Sequence, residues 1–392
     1  MDQIKKLLPK CQNIKSLYLS EASSDSSYEL LLSSVIDNCP RLESIAFNPS
    51  FISKETLRLF GQLLGHKLKQ LGLHMERLGG LKEEKELILS LCPNLKSLCC
   101  ADYLWLDISC NEFAKLEQMK FVVDLCSDEG VTAFNIFADK YHKKIKDITV
   151  SLLCDELPIF SELMTNFSVF PNLTSLRIEI LNPRSLDQWL QVLNHVLVKS
   201  SDKLVNLKKL TLKFTKTIII PDLDEELDSY FDLAKFLVNF KTLEEFYFKS
   251  FVDYRYIITS SVDTIISLIN LKTFAIDCQD IDHKFCSILP KLMPNLKTFK
   301  TNRISEECLP YLSSLKLLTR IAIYSIRLDE SLVVELVKSC PQIKRIYLLS
   351  CEMKRSKETN EELKTLIESR PKLWIEMEEI EDWGTDKVEE PE

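Results

Sequence analysis

Cysteine and histidine are the residue types in this 392-residue chain that could hold a metal ion or act as nucleophiles, and 13 cysteines and five histidines occur. A zinc site needs such ligands at short, regular spacings, and a metalloprotease helix needs His-Glu-x-x-His. Cys99 and Cys100 are adjacent, so on a strand they would face opposite sides. The histidines show neither spacing and are His66, His74, His142, His195 and His283. The sequence therefore predicts no metal site.

Phosphate chemistry usually relies on glycine-rich loops, and only seven glycines occur in the chain. Neither the Gly-x-Gly-x-x-Gly pattern nor a P-loop is present. Acidic pairs are frequent because 28% of the residues are charged, so no catalytic carboxylate pair stands out. We therefore predict no catalytic residue, no cofactor and no enzymatic activity.

One short phrase recurs along the chain: an apolar residue, two variable residues, an apolar residue, one variable residue and an apolar residue. It begins 13 times, about every 27 residues. Repetition of this phrase at this period is typical of leucine-rich repeats. The copies begin at Ile14, Leu42, Leu68, Leu95, Leu116, Ile145, Leu173, Leu207, Leu243, Leu271, Leu296, Leu318 and Ile343. We call these residues the anchors.

Each unit joins a short strand pattern to a helical pattern. In the unit that starts at Leu318, the strand core is 321–323, the helix is 331–338, and Pro341 ends it. Strands joined by helices must be parallel. We predict an α/β leucine-rich-repeat solenoid, a horseshoe of about 13–14 irregular repeats with a parallel concave sheet and convex helices. It should span residues 1–375, and residues 376–392 should form a disordered acidic tail.

Two units are longer than the others. Residues 186–193 predict an additional helix, and residues 218–226 predict an inserted acidic loop. Insertions in repeat proteins often lie on the binding face, although a tolerated surface insertion is equally compatible with the pattern.

Four cysteines precede an anchor by three residues, at Cys11, Cys39, Cys92 and Cys340. Because they recur at repeat distances, we expect buried apolar thiols rather than metal ligands. The first residues lack the apolar segment of an export signal, and no apolar run reaches membrane-spanning length. We therefore expect reduced cysteines, no membrane partner and a cytoplasmic location, with a nuclear location as the alternative.

The net charge of −8 resides in residues 376–392, which hold nine acidic residues and one lysine. The rest of the chain is neutral. Nucleic acid is therefore a poor partner, because backbone binding needs clustered positive charge. The tail could instead fold back over a basic surface of the solenoid and cover it.

Residues between the apolar positions of the phrase should point onto the concave sheet surface. In the early units these residues are small and neutral. In the later units basic residues alternate with tyrosines, beside the acids Glu245 and Asp277. The predicted partner-binding residues are Lys209, Lys213, Tyr247, Lys249, Lys300, Arg320, Tyr324, Arg345 and Tyr347. Such a surface suits a protein with an acidic segment, although solvated lysines and strand-favouring tyrosines would give the same pattern.

The combination Cys-Pro-x-apolar-x-x-apolar, at residues 38–45, 91–98 and 339–346, resembles the leucine-rich-repeat region of F-box proteins, within the ribonuclease-inhibitor-like superfamily. This resemblance implies a substrate-recognition role in an F-box-type (SCF) ubiquitin ligase. In that family an F-box upstream of the repeats docks on a Skp-type adaptor. There is no room for an F-box before Cys11, so the adaptor is an expected partner only if an F-box is encoded upstream.

Two other functions remain compatible with the sequence. One is a non-ligase intracellular scaffold or inhibitor of the ribonuclease-inhibitor type. The other is an acidic-tailed nuclear protein that binds basic partners as a chaperone does.

Overall fold

The fold is given by a computed structural model. It describes residues 12–19, 25–48, 52–73, 87, 90–100, 115–123, 128–152, 167–181, 186–215, 233–249, 268–277, 283–302, 304, 306–324, 327–349, 352–354 and 357–378. The chain divides into two compact units, Met1–Leu207 with Lys216–Ile219, and Lys208–Thr215 with Ile220–Glu392.

The described strands of the first unit are all parallel and pair in chain order. They are β1 (Ser16–Tyr18), β2 (Ser44–Phe47), β3 (Gln70–Leu73), β4 (Ser97–Cys100), β5 (Gln118–Val123), β6 (Asp147–Leu152) and β7 (Ser175–Leu181). The described helices are α1 (Asp25–Asn38), α2 (Lys54–Leu63), α3 (Asp128–Tyr141) and α4 (Leu186–Ser200). The predicted helix at residues 186–193 is thus confirmed and extends further.

The second unit repeats this arrangement. Its described strands are β8 (Lys209–Thr215), β9 (Glu245–Lys249), β10 (Thr273–Asp277), β11 (Thr298–Thr301), β12 (Arg320–Tyr324), β13 (Arg327–Asp329), β14 (Arg345–Leu349), β15 (Glu352–Lys354) and β16 (Trp374–Glu378). Its described helices are α5 (Leu233–Leu237), α6 (His283–Leu292), α7 (Leu309–Ser314), α8 (Glu330–Ser339) and α9 (Lys357–Ser369). β13 and β15 form a separate parallel pair, which the repeat phrase did not predict.

Every predicted copy of the phrase contains a strand, so the α/β leucine-rich-repeat fold is confirmed. Among the anchors, Ile14 is half-buried and the others are buried. In the second unit Phe246, Phe274 and Phe299 stack from strand to strand, with ring centroids 5.9 and 6.1 Å apart. They occupy register-paired positions on three neighbouring strands. Identical positions in successive repeats therefore build one continuous core, as expected for a solenoid.

A second set of contacts joins successive turns. The residue before the anchor is often asparagine, and its side-chain N–H donates to a backbone carbonyl of the preceding turn. Asn94 donates to His66 at 2.7 Å, and Asn295 donates to Ile269 at 2.7 Å. These bonds give backbone carbonyls of the preceding turn a side-chain donor. The same donation is made by Asn172, Asn206 and Asn270.

The helix-ending turns hold the recurring cysteines. Cys39, Cys92 and Cys340 are buried, as predicted. Burial raises the pKa of Cys92 to about 12 and that of Cys340 to about 11. These thiols are therefore protonated at neutral pH and pack as small apolar groups. Cys11 lies outside the described residues.

The last strand differs from the others by one residue. In β14 the core residue Ile346 follows its anchor Ile343 by three positions, whereas in β16 the matching Ile375 follows Leu373 by two. The phrase therefore continues into β16 in a shortened form, beyond residue 375, where the sequence predicts the solenoid to end. Glu376 and Glu378 belong to this strand. Residues 379–392 and the inserted loop at 218–226 lie outside the described residues, so the domain limits and the disordered tail stay predictions.

Candidate protein-binding face

All nine predicted binding residues lie on strands of the second unit, on the side that alternates with the buried phrase residues. We call this side of β8–β12, β14 and β16 the open face. Because the strands are parallel and in register, its residues form rows that cross the strands. The first row is Lys209, Glu245, Thr273, Thr298, Arg320, Arg345 and Trp374. The second row is Thr211, Tyr247, Ala275, Lys300, Ala322, Tyr347 and Glu376.

Tyr247 lies at the centre of a cluster on β8–β11. Lys209 and Lys300 place their ammonium groups 5.4 and 5.6 Å from the centre of its ring. Lys300 lies two strands away, and the intervening residue Ala275 is small enough to let the lysine side chain pass. The Tyr247 hydroxyl donates to Glu245 at 3.3 Å, and Glu245 is 3.8 Å from Lys209. This cluster therefore orients two lysines and balances part of their charge.

A second ion pair lies in a third row, which contains Lys213, Lys249 and Asp277, and it reduces the positive charge further. Lys249 lies 3.6 Å from Asp277, whose other oxygen accepts a hydrogen bond from Asn302. Burial raises the pKa of Asp277 although Lys249 and Asn302 act in the opposite direction. Lys213 is the register partner of Lys249 on β8. The acids that the sequence placed on this face are thus ion-paired with two of its lysines.

The open face of β11, β12 and β14 is different, because its residues include no acid. Its residues with described side chains are Thr298, Lys300, Arg320, Ala322, Arg345 and Tyr347. Arg320 and Arg345 are direct register partners on neighbouring strands. Like charges at directly opposite positions repel each other across a sheet. The positive charge of the face is therefore concentrated on these three strands.

Aromatic side chains border this basic segment. Tyr347 is half-buried, and Trp374, the neighbour of Arg345 on β16, is 63% exposed. Sequence reasoning missed Trp374 because the shortened last unit moves it into the first row. The signal available in the sequence was the tryptophan directly after Leu373, the residue that takes the place of an anchor in the last unit. The strand position of Tyr324 is described but its side chain is not.

The open side of the first unit lacks such a basic segment. Its described residues are mainly small and neutral, as predicted. Arg177 donates through Nε to Glu179 at 2.8 Å, and Ser151 donates to the same carboxylate at 2.9 Å. This positive charge is therefore balanced by a neighbouring carboxylate.

Other kinds of site are not evident in the described part of the chain. No group of three His, Cys, Asp or Glu side chains there is arranged to hold a metal ion. Among the same residues, no helix combines the length and apolar character needed to cross a membrane. The candidate site is therefore the open face of the second unit. Its positive charge is partly balanced by ion pairs, and tyrosine and tryptophan side chains border its basic residues. Such a surface can contact anionic groups of another molecule.

Comparison with known proteins adds little beyond the fold. No protein-family model and no curated protein matches the chain. Among solved structures, the leucine-rich-repeat-containing protein LegL7 from Legionella pneumophila is 16% identical, with a TM-score of 0.43, and the match covers 91% of this chain and 100% of that chain. A Bacteroides fragilis protein is 16% identical with a TM-score of 0.38, covering 67% of this chain and 74% of its own. At these values neither similarity bears on function.

Proposed function

We propose that this chain is a protein-interaction module that captures a partner through the open face of its second unit. The observation that carries the proposal is the clustering of Lys300, Arg320 and Arg345 on the open face of the neighbouring strands β11, β12 and β14, with Glu376 of β16 at the edge of this cluster. Basic residues next to tyrosine and tryptophan are typical of interface anchors. The partner expected from this chemistry is a protein with an acidic segment.

A panel of synthetic peptides tests this function directly. An acidic library with glutamate at a fixed centre and degenerate flanks is compared with a serine-centred library of the same design. The acidic library should be retained more strongly, and Lys300→Glu should remove the difference. Lys297→Glu is the matched control, because Lys297 is an exposed lysine that precedes the strand. Equal retention of both libraries, or an equal loss in the control variant, would contradict the proposal.

A substrate-recognition role in an F-box-type ubiquitin ligase is the finer form of this proposal. Its support is the resemblance of the Cys-Pro segments, whose cysteines Cys39, Cys92 and Cys340 are buried at the helix-ending turns. Affinity purification of the gene product from its own cells, read by mass spectrometry, tests it. Co-purification of a Skp-type adaptor and a cullin is expected. Their absence beside a reproducibly bound protein would reject the ligase role and favour a non-ligase scaffold or inhibitor.

A further inference from the structure

The turns that lead into the strands of the second unit form one edge of its sheet. Because β10, β11, β12, β14 and β16 pair in register, the segments before them lie side by side. We call these segments the turn edge, and they are residues 268–272, 293–297, 315–319, 340–344 and 370–374. Neighbouring strands lie about 4.8 Å apart, so the turn edge crosses about 19 Å of sheet. It shares only Trp374 with the open face.

The turn edge is basic. Its five lysines are all exposed, its segments contain no acid, and they are Lys272, Lys297, Lys316, Lys344 and Lys372. Lys272 lies 2.5 Å from Glu244, whereas the acids of the described residues leave the other four lysines without an ion pair. The single arginine, Arg370, donates to three backbone carbonyls of the preceding helix and turn, so it serves the fold.

Helix dipoles explain only part of this charge. Cations near a helix C-terminus are favourable, but the effect falls off within the last turn. Lys297 and Lys344 follow the last residues of α6 and α8, Leu292 and Ser339, by five positions. These two lysines therefore lie beyond the range in which the helices benefit from them.

Large apolar side chains are exposed on the same edge. Ile269 is 58% exposed, Leu317 is 45% exposed and Trp374 is 63% exposed. They belong to β10, β12 and β16, and the strands between these carry Lys297 and Lys344. Single exposed apolar residues are common on proteins, but here apolar and basic residues alternate along one edge. The turn edge is therefore amphipathic.

This composition favours a lipid surface over other partners. Protein interfaces are depleted in lysine and enriched in arginine, the opposite of what the turn edge presents. Nucleic acid is bound mainly through its phosphates, which would leave Ile269 and Leu317 without a role. Lysines beside leucine and tryptophan are typical of surfaces that lie on anionic bilayers, where the lysines meet the headgroups and the apolar side chains enter the interface.

Acidic residues border the turn edge without interrupting it. Glu244, before β9, is ion-paired with Lys208 and Lys272. Glu376 lies two residues beyond Trp374, on the open face. Residues 379–392 carry a net charge of −6, which opposes binding to anionic lipid, so binding has to be measured on the full chain.

We propose that the turn edge of the second unit binds the surface of an anionic lipid bilayer, with Lys297 and Lys344 at the headgroups and Ile269 and Leu317 in the interface. The sequence-based expectation of no membrane partner rests on the absence of a long apolar run, which a surface contact does not require. The inference is independent of the proposed function, because the residues that it assigns lie outside the open face.

Flotation of the full chain with lipid vesicles tests this inference. Phosphatidylcholine vesicles are compared with vesicles in which one third of the lipid is phosphatidylserine. The chain should float with the anionic vesicles and not with the neutral ones, and 0.5 M NaCl should weaken the binding. Lys297→Glu/Lys344→Glu should bind the anionic vesicles about 25-fold more weakly, since each lysine near such a surface contributes about 1 kcal/mol.

Matched variants locate the surface. Lys54→Glu/Lys364→Glu makes the same change of charge at exposed lysines of α2 and α9 and should bind like the wild type. Ile269→Ser/Leu317→Ser keeps the charge and should weaken binding about ten-fold, because less apolar surface enters the bilayer. All of these side chains are exposed, so thermal unfolding should show melting temperatures close to that of the wild type.

The possible results are distinct. Equal binding to both kinds of vesicle, or binding to neither, would overturn the inference. Unchanged binding by Lys297→Glu/Lys344→Glu, or an equal loss in the helical control, would overturn the assignment to the turn edge. Complete competition by soluble glycerophosphoserine or inorganic phosphate would indicate a small anion site instead of a bilayer surface. Each of these results leaves binding of acidic peptides to the open face unaffected, so the two proposals can fail separately.

Discussion

At the scale of single residues, the open face of the second unit carries both ion-paired lysines and neighbouring arginines. Glu245 and Asp277 pair with lysines on β8 and β9, whereas the arginines of β12 and β14 are neighbours of each other. A surface ion pair contributes little to stability, about 0–1 kcal/mol. The two ion pairs therefore act mainly by orienting the side chains of Lys209 and Lys249 and by balancing their charges.

Asp277 allows a pH test of this description. Because burial raises its pKa, the native state keeps a proton that the unfolded state has lost between about pH 3.9 and the raised pKa. Its stabilising contribution is therefore present below that window and is lost as the pH rises through the native pKa. Relative to Asp277→Asn, the wild type should become less stable from pH 4 upward, measured by urea unfolding.

High salt provides the control for this experiment. A burial effect should persist in 1 M NaCl, whereas the attraction between Lys249 and Asp277 is screened there. If the wild type instead gained stability over the variant with rising pH, the ion pair would outweigh burial and the stated cause of the pKa shift would be wrong.

The buried cysteines give a second residue-scale prediction. Since the pKa of Cys92 is about 12 and that of Cys340 about 11, neither thiol forms the reactive thiolate at pH 8. Iodoacetamide should leave both unmodified in the native protein and modify both in guanidinium chloride, as read by peptide mass spectrometry. Native alkylation of either at the rate of a small free thiol would show that the helix-ending turns open readily.

Single-residue properties were only partly predictable from the sequence. Alternation along each strand placed Lys209, Tyr247 and Arg345 on the open face, because side-chain direction has a period of two. The contacts of Lys300 with Tyr247 were not predictable. They depend on the register of three strands and on the small size of Ala275 between them.

At the scale of elements, two repeated devices hold neighbouring repeats together. Apolar phrase residues stack inside, and asparagines before the anchors bond to the preceding turn. At the start of the strands, Glu244 lies between Lys208 at 3.2 Å and Lys272 at 2.5 Å. Hydrogen bonds from these lysines, that of Lys272 first, lower the pKa of Glu244. Each repeat is thus joined to its neighbours on several sides.

Removing one asparagine measures the contribution of a single turn contact. Asn295→Ala leaves the carbonyl of Ile269 without its side-chain donor and should lower the free energy of unfolding by about 1 kcal/mol. Hydrogen exchange should show faster opening of the flanking turns at residues 268–271 and 293–296. The control Asn295→Gln keeps the amide and should recover part of the loss. No change in exchange would mean that the bond is replaced by water without cost.

The elements were the most predictable level of the structure. Each of the 13 copies of the phrase predicted a strand that the structure contains, β1–β12 and β14, because burial of the apolar residues requires the same spacing each time. β16 was missed because its unit has one residue fewer after Leu373 than the other units have after their anchors. The apolar residues of β16 therefore do not match the spacing of the phrase. β13 and β15 were missed because segments of three residues leave no periodic signal.

At the scale of the whole molecule, charge is unevenly distributed along the chain. Residues 379–392 carry seven acidic residues and one lysine, whereas the open face of β11, β12 and β14 is basic. Opposite charges within one chain lower the local attraction for an anionic partner, and salt screens this effect. The acidic residues in 379–392 are therefore expected to lower the affinity of the open face for an anionic partner.

Truncation after Glu378 tests this long-range effect. It removes a net charge of −6 and should strengthen binding of the acidic peptide library several-fold at low salt, with a smaller gain at 0.5 M NaCl. Replacing the acidic residues of this segment by Gln and Asn keeps its length and should reproduce the gain. An equal gain at both salt concentrations would indicate steric covering instead of charge.

The most direct measurement of the central claim is site-specific photo-crosslinking in the cells that produce the protein. A benzophenone amino acid replaces Tyr347 on the open face or, in a second variant, Ile136, which is 47% exposed on α3. We predict a discrete protein adduct from position 347 that is lost when Arg345→Gln is added, and none from position 136. An adduct from position 136 alone, or no adduct at position 347 that depends on Arg345, would contradict binding through the open face.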